Sequence, residues 1–483
     1  MSNRAIYTGL LTIDVHILWR YVRIALRNPR RRKNISSIAH DSRNRNNTGL
    51  QHSVAPDKRA RLFLNVVVKV ANMGKTIVEK ILSRASGASD VSAGDIVNGK
   101  VSYIMTNDAV GELAVEAFEK LGGTPWDSDK IVIILDHYIP ATTENAARTH
   151  KLLRDFSAKH GIDLFDQQGV CHQLMLEHYV SPGDLVIGTD SHTCTYGGIG
   201  AFATGIGSTD GAAAMATGEI WLRVPETIKV ELSGKLSPHV HPKDVILKVI
   251  GELGADGATY KALEFTGDGA ATISTSGRFT ICNMAVEAGA KTGLFEPDDE
   301  TKRFMTGRGR EGVYFKSDPD AQYCGHLKIN LSELGPQVSY PWSVDNVVPV
   351  EEVRGTAIDQ AFIGSCTNGR IEDFRIAAEI LKNKSIHPNV RLLVTPASQE
   401  IYLQAVKEGL MEIFSRAGAI ICNPGCSACF GGQGMLWENE VCIGSHNRNF
   451  RARMGHKDSK VFLASPETVT VSATVGKIED PRQ

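Results

Sequence analysis

The chain has 483 residues, 42% of them hydrophobic and 22% charged, which fits a globular enzyme of about two to four domains. Nine cysteines in a chain this long do not make a disulfide framework; metal ligation and scattered buried thiols in a reducing, cytoplasmic setting fit better. The apolar runs, such as Leu10 to Trp19, are too short and too interrupted by polar residues to span a membrane.

The net charge of −1 is unevenly spread. Residues 1–72 hold fourteen Lys and Arg against three Asp, a balance of +11, which leaves −12 for residues 73–483. The run Arg30-Arg31-Arg32-Lys33 and the Asn/Ser/Arg-rich stretch up to Asp57 have no sustained period, so we expect disorder there. The stretch reads as a non-native extension or, alternatively, as an Arg-rich targeting or nucleic-acid arm. From Met73 to Leu82 an amphipathic helix is expected, and the folded protein is read as 73–483.

From Gly94 onward, strand-like and helix-like segments alternate, so the fold class is α/β. Lys130 to Leu135 predicts a strand ending in Asp136-His137. Thr143 to His160 predicts a helix, Ile162 to Phe165 a strand, and His172 to Tyr179 a helix closed by Pro182-Gly183. Leu185 to Ile187 predicts a strand ending at Thr189-Asp190-Ser191-His192. Polar residues thus recur at the C-terminal ends of strands, where open α/β sheets build their sites. Gly197 to Thr217 is rich in small residues with Gly-x-Gly spacings. It has neither the strand of a dinucleotide fingerprint nor the Lys-Ser/Thr of a phosphate loop, so close packing beside a site is expected instead.

Glu226 to Leu232, Lys243 to Leu253, Leu263 to Phe265 and Phe279 to Glu287 form a second lobe. Gly335 to Val353 reads as a linker. The last lobe has strands at Gln360 to Ile363, Arg391 to Val394, Ala419 to Ile421 and Glu440 to Ile443, and one helix at Gln399 to Ala417. The expected lobes are therefore 73–215, 216–340 and 355–483.

Two strands of the last lobe run into loops of small residues holding thiols: Ile363-Gly364-Ser365-Cys366-Thr367-Asn368-Gly369, and Asn423-Pro424-Gly425-Cys426-Ser427-Ala428-Cys429. The second alone could be a redox pair or half a zinc site. With Cys422 it has the spacing of enzymes that bind S-adenosylmethionine to a cluster, but Cys422 follows Ala-Ile-Ile and is expected on a strand, turned away as a buried thiol. Drawing in Cys366 gives three thiolates, which could hold three irons of a cubane and leave a fourth open. His137 beside Asp136, His172 beside Cys171, and His192 after Asp190-Ser191 each sit at a strand end or helix start, where a carboxylate can fix the tautomer. Arg448 and Arg453, in a loop after a strand, could clamp carboxylates. Asn283 and Glu287 lie one helical turn apart, on one face.

From Met73 onward this combination resembles the aconitase superfamily, most closely the large subunits of its isopropylmalate isomerase and homoaconitase branch. The matching stretches are Leu135-Asp136-His137, Gly169-Val170-Cys171-His172-Gln173, Gly188-Thr189-Asp190-Ser191-His192-Thr193, Ile281-Cys282-Asn283-Met284-Ala285-Val286-Glu287, Gly364-Ser365-Cys366-Thr367-Asn368, Pro424-Gly425-Cys426-Ser427-Ala428-Cys429 and Asn447-Arg448-Asn449-Phe450-x-x-Arg453.

The resemblance implies a three-lobed α/β/α architecture around an iron-sulfur cleft, and a stereospecific dehydration and rehydration of a 2-hydroxy di- or tricarboxylate. It implies that Cys366, Cys426 and Cys429 ligate a 4Fe-4S cluster. Asp136 and His137 would protonate the leaving hydroxyl. His172 with Asp190, and His192, would order water. Asn283 and Glu287 would support the hydroxyl and cluster side, and Ser191, Arg448 and Arg453 would bind substrate. Asn107 stands where aconitases carry a glutamine. Single-chain aconitases continue into a swivelling fourth domain with a serine base. This chain ends soon after Glu467, so a small subunit is expected to bring that domain. Neither a membrane nor a nucleic acid is expected as a partner, although an RNA-binding relative and a radical enzyme using Cys422 stand as rival readings.

Overall fold

The structure, a computed structural model, describes residues 74–483. The basic stretch 1–72 and the readings made of it lie outside the described residues.

The first described helix begins at Ile77, where Thr76 caps it. The Thr76 hydroxyl accepts from the Glu79 amide while the Glu79 carboxylate accepts from the Thr76 amide, so two orphan donors are satisfied reciprocally. Strand β1 (Ile96–Lys100) follows, then β2 (Tyr103–Asn107), β3 (Ile131–Leu135), β4 (Asp163–Asp166), β5 (Leu185–Gly188) and β6 (Phe202–Gly205). Strands β2 to β6 form a five-stranded sheet in the order β4-β3-β2-β5-β6, parallel throughout. Along β3, Ile131, Ile133 and Leu135 enter one apolar cluster while Val132 and Ile134 enter another. Both faces of the sheet are therefore covered, which is why β3 reads as an unbroken apolar run. The strand order reverses at β2 and β5, so the crevice at their C-terminal ends opens beside Asn107, Asp136-His137 and Asp190.

Strand β7 (Glu219–Arg223) pairs antiparallel with β1 as a two-stranded ribbon. A four-stranded parallel sheet follows from β8 (Thr227–Ser233), β9 (Ala262–Thr266), β10 (Thr292–Phe295) and β11 (Gly325–Asn330), ordered β10-β9-β8-β11. The third sheet has seven strands: β12 (Gln337–Ser339), β13 (Val347–Pro349), β14 (Gln360–Gly364), β15 (Arg391–Thr395), β16 (Ile420–Ile421), β17 (Val441–Gly444) and β18 (Lys460–Leu463). Their order is β13-β12-β18-β17-β14-β15-β16. Among the described residues no helix is long and apolar enough to cross a membrane.

Three readings of the sequence need revision. Gly335 to Val353 is not a linker: β12 pairs with β13 and, at Ser339, with β18, so it extends the third sheet. Strands of three residues are too short to leave a period in the sequence. The helix expected over Gln399 to Ala417 is two helices, Gln399–Lys407 and Leu410–Ala417, because Gly409 takes a left-handed conformation (φ +75°) between them. The helix expected to reach Glu287 ends at Asn283 and continues as a tighter 3-10 turn, Met284–Ala288.

The small-residue run from Gly197 is a packing device. A Cβ on Gly197 would lie 1.6 Å from the Gly293 carbonyl oxygen, and one on Gly198 would lie 2.6 Å from the Phe279 ring. The 3-10 segment Ser191–Ile199 thereby lies directly against β10 and the helix Thr275–Asn283, which carries Asn283.

The second and third sheets share one apolar cluster. An ionic clasp joins their helices as well. Glu467, in the first turn of the helix Pro466–Val475, accepts from His239 Nδ1 at 2.7 Å and His241 Nε2 at 2.5 Å, and His241 caps the helix Pro242–Leu253. Burial works against ionised Glu467, but the two imidazoles outweigh it and hold its pKa below the ordinary 4.5. Burial likewise opposes the His241 imidazolium, but the Glu467 carboxylate outweighs it and raises His241 above 6.5. The Glu467 contribution is present above pH 4.5 and lost as pH falls through its folded value. The His241 contribution is present below pH 6.5 and lost as pH rises through its folded value. Glu467→Gln is therefore expected to lower the Tm most near pH 5–6, by roughly 1–4 °C, with the loss shrinking toward both sides in pH-resolved thermal unfolding.

Candidate active site and metal centre

Three strand ends deliver the thiols and their supports. Strand β14 ends at Gly364, whose φ of +153° lets the backbone pass close to Thr395 at the end of β15; a Cβ there would lie 2.5 Å from the Thr395 carbonyl oxygen. Ser365 follows in the left-handed region (φ +67°), and the chain turns at once into Cys366. Past β16 the chain reaches Gly425, where a Cβ would lie 2.8 Å from the Asp136 carbonyl oxygen. That contact puts the Cys426 amide 2.8 Å from the same oxygen, so the cysteine loop is bonded to the end of β3. After β17 comes Ser445-His446-Asn447-Arg448.

These loops meet in one cavity of about 230 Å³. Its walls include Cys366, Cys426 and Cys429 together with His137, His172, Asp190, His192, Arg448 and Arg453. Asp136, Ser191, Asn283 and Glu287 do not line it but each bonds a residue that does. Asn107 faces a larger neighbouring cavity of about 700 Å³, which it shares with Asp190 and Ser191, and donates to Asp190 Oδ2 at 3.3 Å. Cys422 is half-buried, is not among the cavity residues, and its thiol interacts with Thr395.

The thiols are surrounded by aimed donors. Asn283 Nδ2 lies 3.2 Å and Asn447 Nδ2 3.5 Å from Cys366 Sγ. Arg453 Nη2 lies 3.2 Å from Cys429 Sγ, and its Nε donates to the Cys429 carbonyl oxygen at 3.0 Å. A hydrogen bond from Cys426 and the Arg453 guanidinium hold the Cys429 thiol well below its ordinary range, against burial. Burial, and then the charge on Cys429, push Cys366 up to about 12. Beside them His446 is fully buried with neither ring nitrogen bonded. Three converging thiols, amide and guanidinium donors aimed at sulfur, and loops of small residues are what a bulky thiolate-ligated cluster requires, so the residues present fit such a group.

Paired acids and imidazoles border the same cavity. His137 Nδ1 meets Asp136 Oδ1 at 2.7 Å, while Asp136 Oδ2 accepts the Cys171 amide at 2.7 Å. Burial opposes the His137 imidazolium, but the carboxylates of Asp136, Asp108 and Asp190 outweigh it and raise its pKa to about 10. His172 Nε2 meets Asp190 Oδ1 at 2.9 Å, and the same oxygen accepts the His192 amide at 2.8 Å. Burial would raise Asp190, yet His172 and His192 hold it well below the ordinary range. Glu287 Oε1 joins His192 Nε2 at 2.9 Å to Arg448 Nε at 2.7 Å, and Arg448 Nη2 donates to Ser191 Oγ at 2.9 Å.

Several supporting residues were not singled out from the sequence. Asp108 Oδ1 accepts the amides of Asp136 and His137, and Oδ2 accepts the Tyr138 amide and meets His150 Nε2. It thereby fixes the turn that presents the imidazole. Arg370, three residues beyond Thr367, donates to the carbonyl oxygens of Cys366 and Thr367 and to Gln173 Oε1, next to His172. Asn447 lay inside a recognised motif but carried no role. For Asp108 and Arg370, a polar residue close to a motif was the only available sign.

Comparison with known proteins bears on the chemistry. The model of the aconitase family (aconitate hydratase) matches residues 79–355 and 351–476. The chain is 52% identical over 416 residues to 3-isopropylmalate dehydratase large subunit 1 of Methanopyrus kandleri, covering 85% of this chain and 99% of that protein. It is 47% identical over 420 residues to the 3-isopropylmalate dehydratase large subunit of Aquifex aeolicus, covering 85% and 97%. It is also 48% identical over 417 residues to a "probable methanogen homoaconitase large subunit" of Methanothermobacter thermautotrophicus, covering 84% and 97%. With a family model spanning most of the described chain, and a cavity of thiols, imidazoles and arginines to match, the chain belongs to the aconitase family.

Proposed function

We propose that this chain is the large subunit of a 3-isopropylmalate dehydratase. It would interconvert 2- and 3-isopropylmalate by dehydration and rehydration in leucine biosynthesis. The observation that carries the reading is the single cavity in which Cys366, Cys426 and Cys429 face two carboxylate–imidazole pairs and two arginines. Relatives bearing that name support it.

In this reading Cys366, Cys426 and Cys429 hold a 4Fe-4S cluster, with Asn283, Asn447 and Arg453 donating toward its sulfur shell. When bound, such a cluster supplies a Lewis-acidic iron for a substrate hydroxyl. The remaining work falls to the protein's own groups. His137 keeps its proton at neutral pH because three carboxylates surround it. With Nδ1 engaged by Asp136, Nε2, which lies 3.8 Å from Asp190 Oδ2, is the nitrogen placed to give that proton to a departing hydroxyl. Asp190 stays ionised between His172 and His192 and orients both rings, which suits them to order the water that leaves and returns. Arg448 is pre-aligned by Glu287 and Ser191, and Arg453 by Cys429, so both guanidiniums present fixed donors to substrate carboxylates. The base for the carbon-bound proton is assigned to a separate small subunit, since the relatives are named large subunits.

A second reading, a homoaconitase large subunit, rests on the homoaconitase-named relative at 48% identity. Reconstituting the chain anaerobically with its small subunit and assaying both substrates separates the two. Higher kcat/KM on 2-isopropylmalate is expected; faster turnover of homocitrate would transfer the assignment. His137→Asn removes the proton donor while leaving the thiols in place. It is expected to cut kcat by about 10²–10⁴-fold with iron content unchanged. Retention of near-full kcat would remove His137 from the mechanism.

A further inference from the structure

Lys243 lies at the second position of the helix Pro242–Leu253 and its side chain is fully buried. Its Nζ donates to two successive main-chain carbonyls, Ser445 at 2.9 Å and His446 at a shorter contact. Those residues directly precede Asn447 and Arg448, the residues that meet Cys366 and Glu287. Among the described residues no carboxylate comes within ion-pair distance of this ammonium. The neighbouring Asp244 turns instead to the amides of His241 and Gln337. A fully buried charge held only by neutral carbonyls is expensive unless a nearby opposite charge offsets it. Burial outweighs the charges that act favourably on it, those of Cys429, Asp244, Cys366 and Glu287, and its pKa falls to about 7.

We propose that Lys243 is a positioning residue that serves as the buried counter-charge of the thiolate-ligated cluster and pins the Ser445–Arg448 loop beside it. The proposal rests on the cluster reading given above. Three thiolates brought together in a buried site concentrate negative charge. Arg453 answers it from the Cys429 side, at the surface of the cavity. Lys243 answers it from behind the β17 loop, out of reach of substrate, so it meets neither substrate nor the reacting atoms.

The test uses Lys243→Met, which keeps much of the volume and removes the charge, and Lys243→Gln as a second neutral variant. Each is compared with the wild-type chain in apo and anaerobically reconstituted forms. Either neutral variant loses donors to two carbonyls, so a lower Tm in both forms is uninformative by itself. The informative quantity is the rise in Tm on cluster loading, which reports binding to the folded state. The account expects that rise to shrink in both variants and iron release to a chelator to quicken by about tenfold or more. It also expects the cluster's midpoint potential to move negative, since a lost nearby cation disfavours the added electron. An unchanged loading increment with an unchanged potential would overturn the proposal and leave Lys243 a purely structural pin. Insolubility of both neutral variants, with Lys243→Arg soluble, would also count against it, because the charge would then be needed to build the fold. A wild-type chain that takes up no cluster would instead refute the functional reading, so the two failures are distinguishable.

Discussion

The placement of one sulfur atom, Cys366 Sγ, governs the rest of the cleft. Its main chain is forced into position: Gly364 lies against Thr395 of β15 where no side chain fits, and Ser365 takes a left-handed conformation that costs a non-glycine residue about 1–2 kcal/mol. Such a conformation persists only where the surroundings over-determine it. They do so here. Arg370 binds the carbonyls of Cys366 and Thr367, Asn283 and Asn447 bind the sulfur, and Thr367 binds Asn283 in return. Each of these partners also belongs to another element of the site, so a displaced Cys366 would pull on the helix of His172, on the loop of Arg448 and on the helix of Asn283 together.

A division of labour follows from how charge is arranged. The thiol side is supplied with donors and cations: Asn283, Asn447, Arg453 and, behind the loop, Lys243. The carboxylates of the site are each bonded to an imidazole: Asp136 to His137, Asp190 to His172, Glu287 to His192. Sulfur is therefore met by amides and cations, while the carboxylates are met by imidazoles. Asp108 holds the acid turn rigid without entering the cavity.

Much of this was legible from residue order. Apolar runs ending in polar residues marked the parallel strands, and the residues at their C-terminal ends do meet in one cleft. The separation of Cys422 from Cys426 and Cys429 followed from its place after a short strand. What stayed hidden had identifiable physical reasons. The hairpin of β12 and β13 is too short to show a period, and the break at Gly409 depends on one glycine inside an otherwise good helical pattern. Asp108, Arg370 and Lys243 act through main-chain carbonyls and amides, and such partners leave no signature in sequence spacing. A buried lysine among Val and Ile reads simply as a helix-surface charge until the loop above it is in view.

The central claim is that Cys366, Cys426 and Cys429 act as one ligand set. Iron and acid-labile sulfide per chain, measured in anaerobically reconstituted wild type and in Cys366→Ser, test it directly. The account predicts about 4 of each per wild-type chain for a cubane cluster, and a collapse of both in the serine variant together with its visible absorbance. A Cys366→Ser protein that keeps its full complement of iron and sulfide would contradict it.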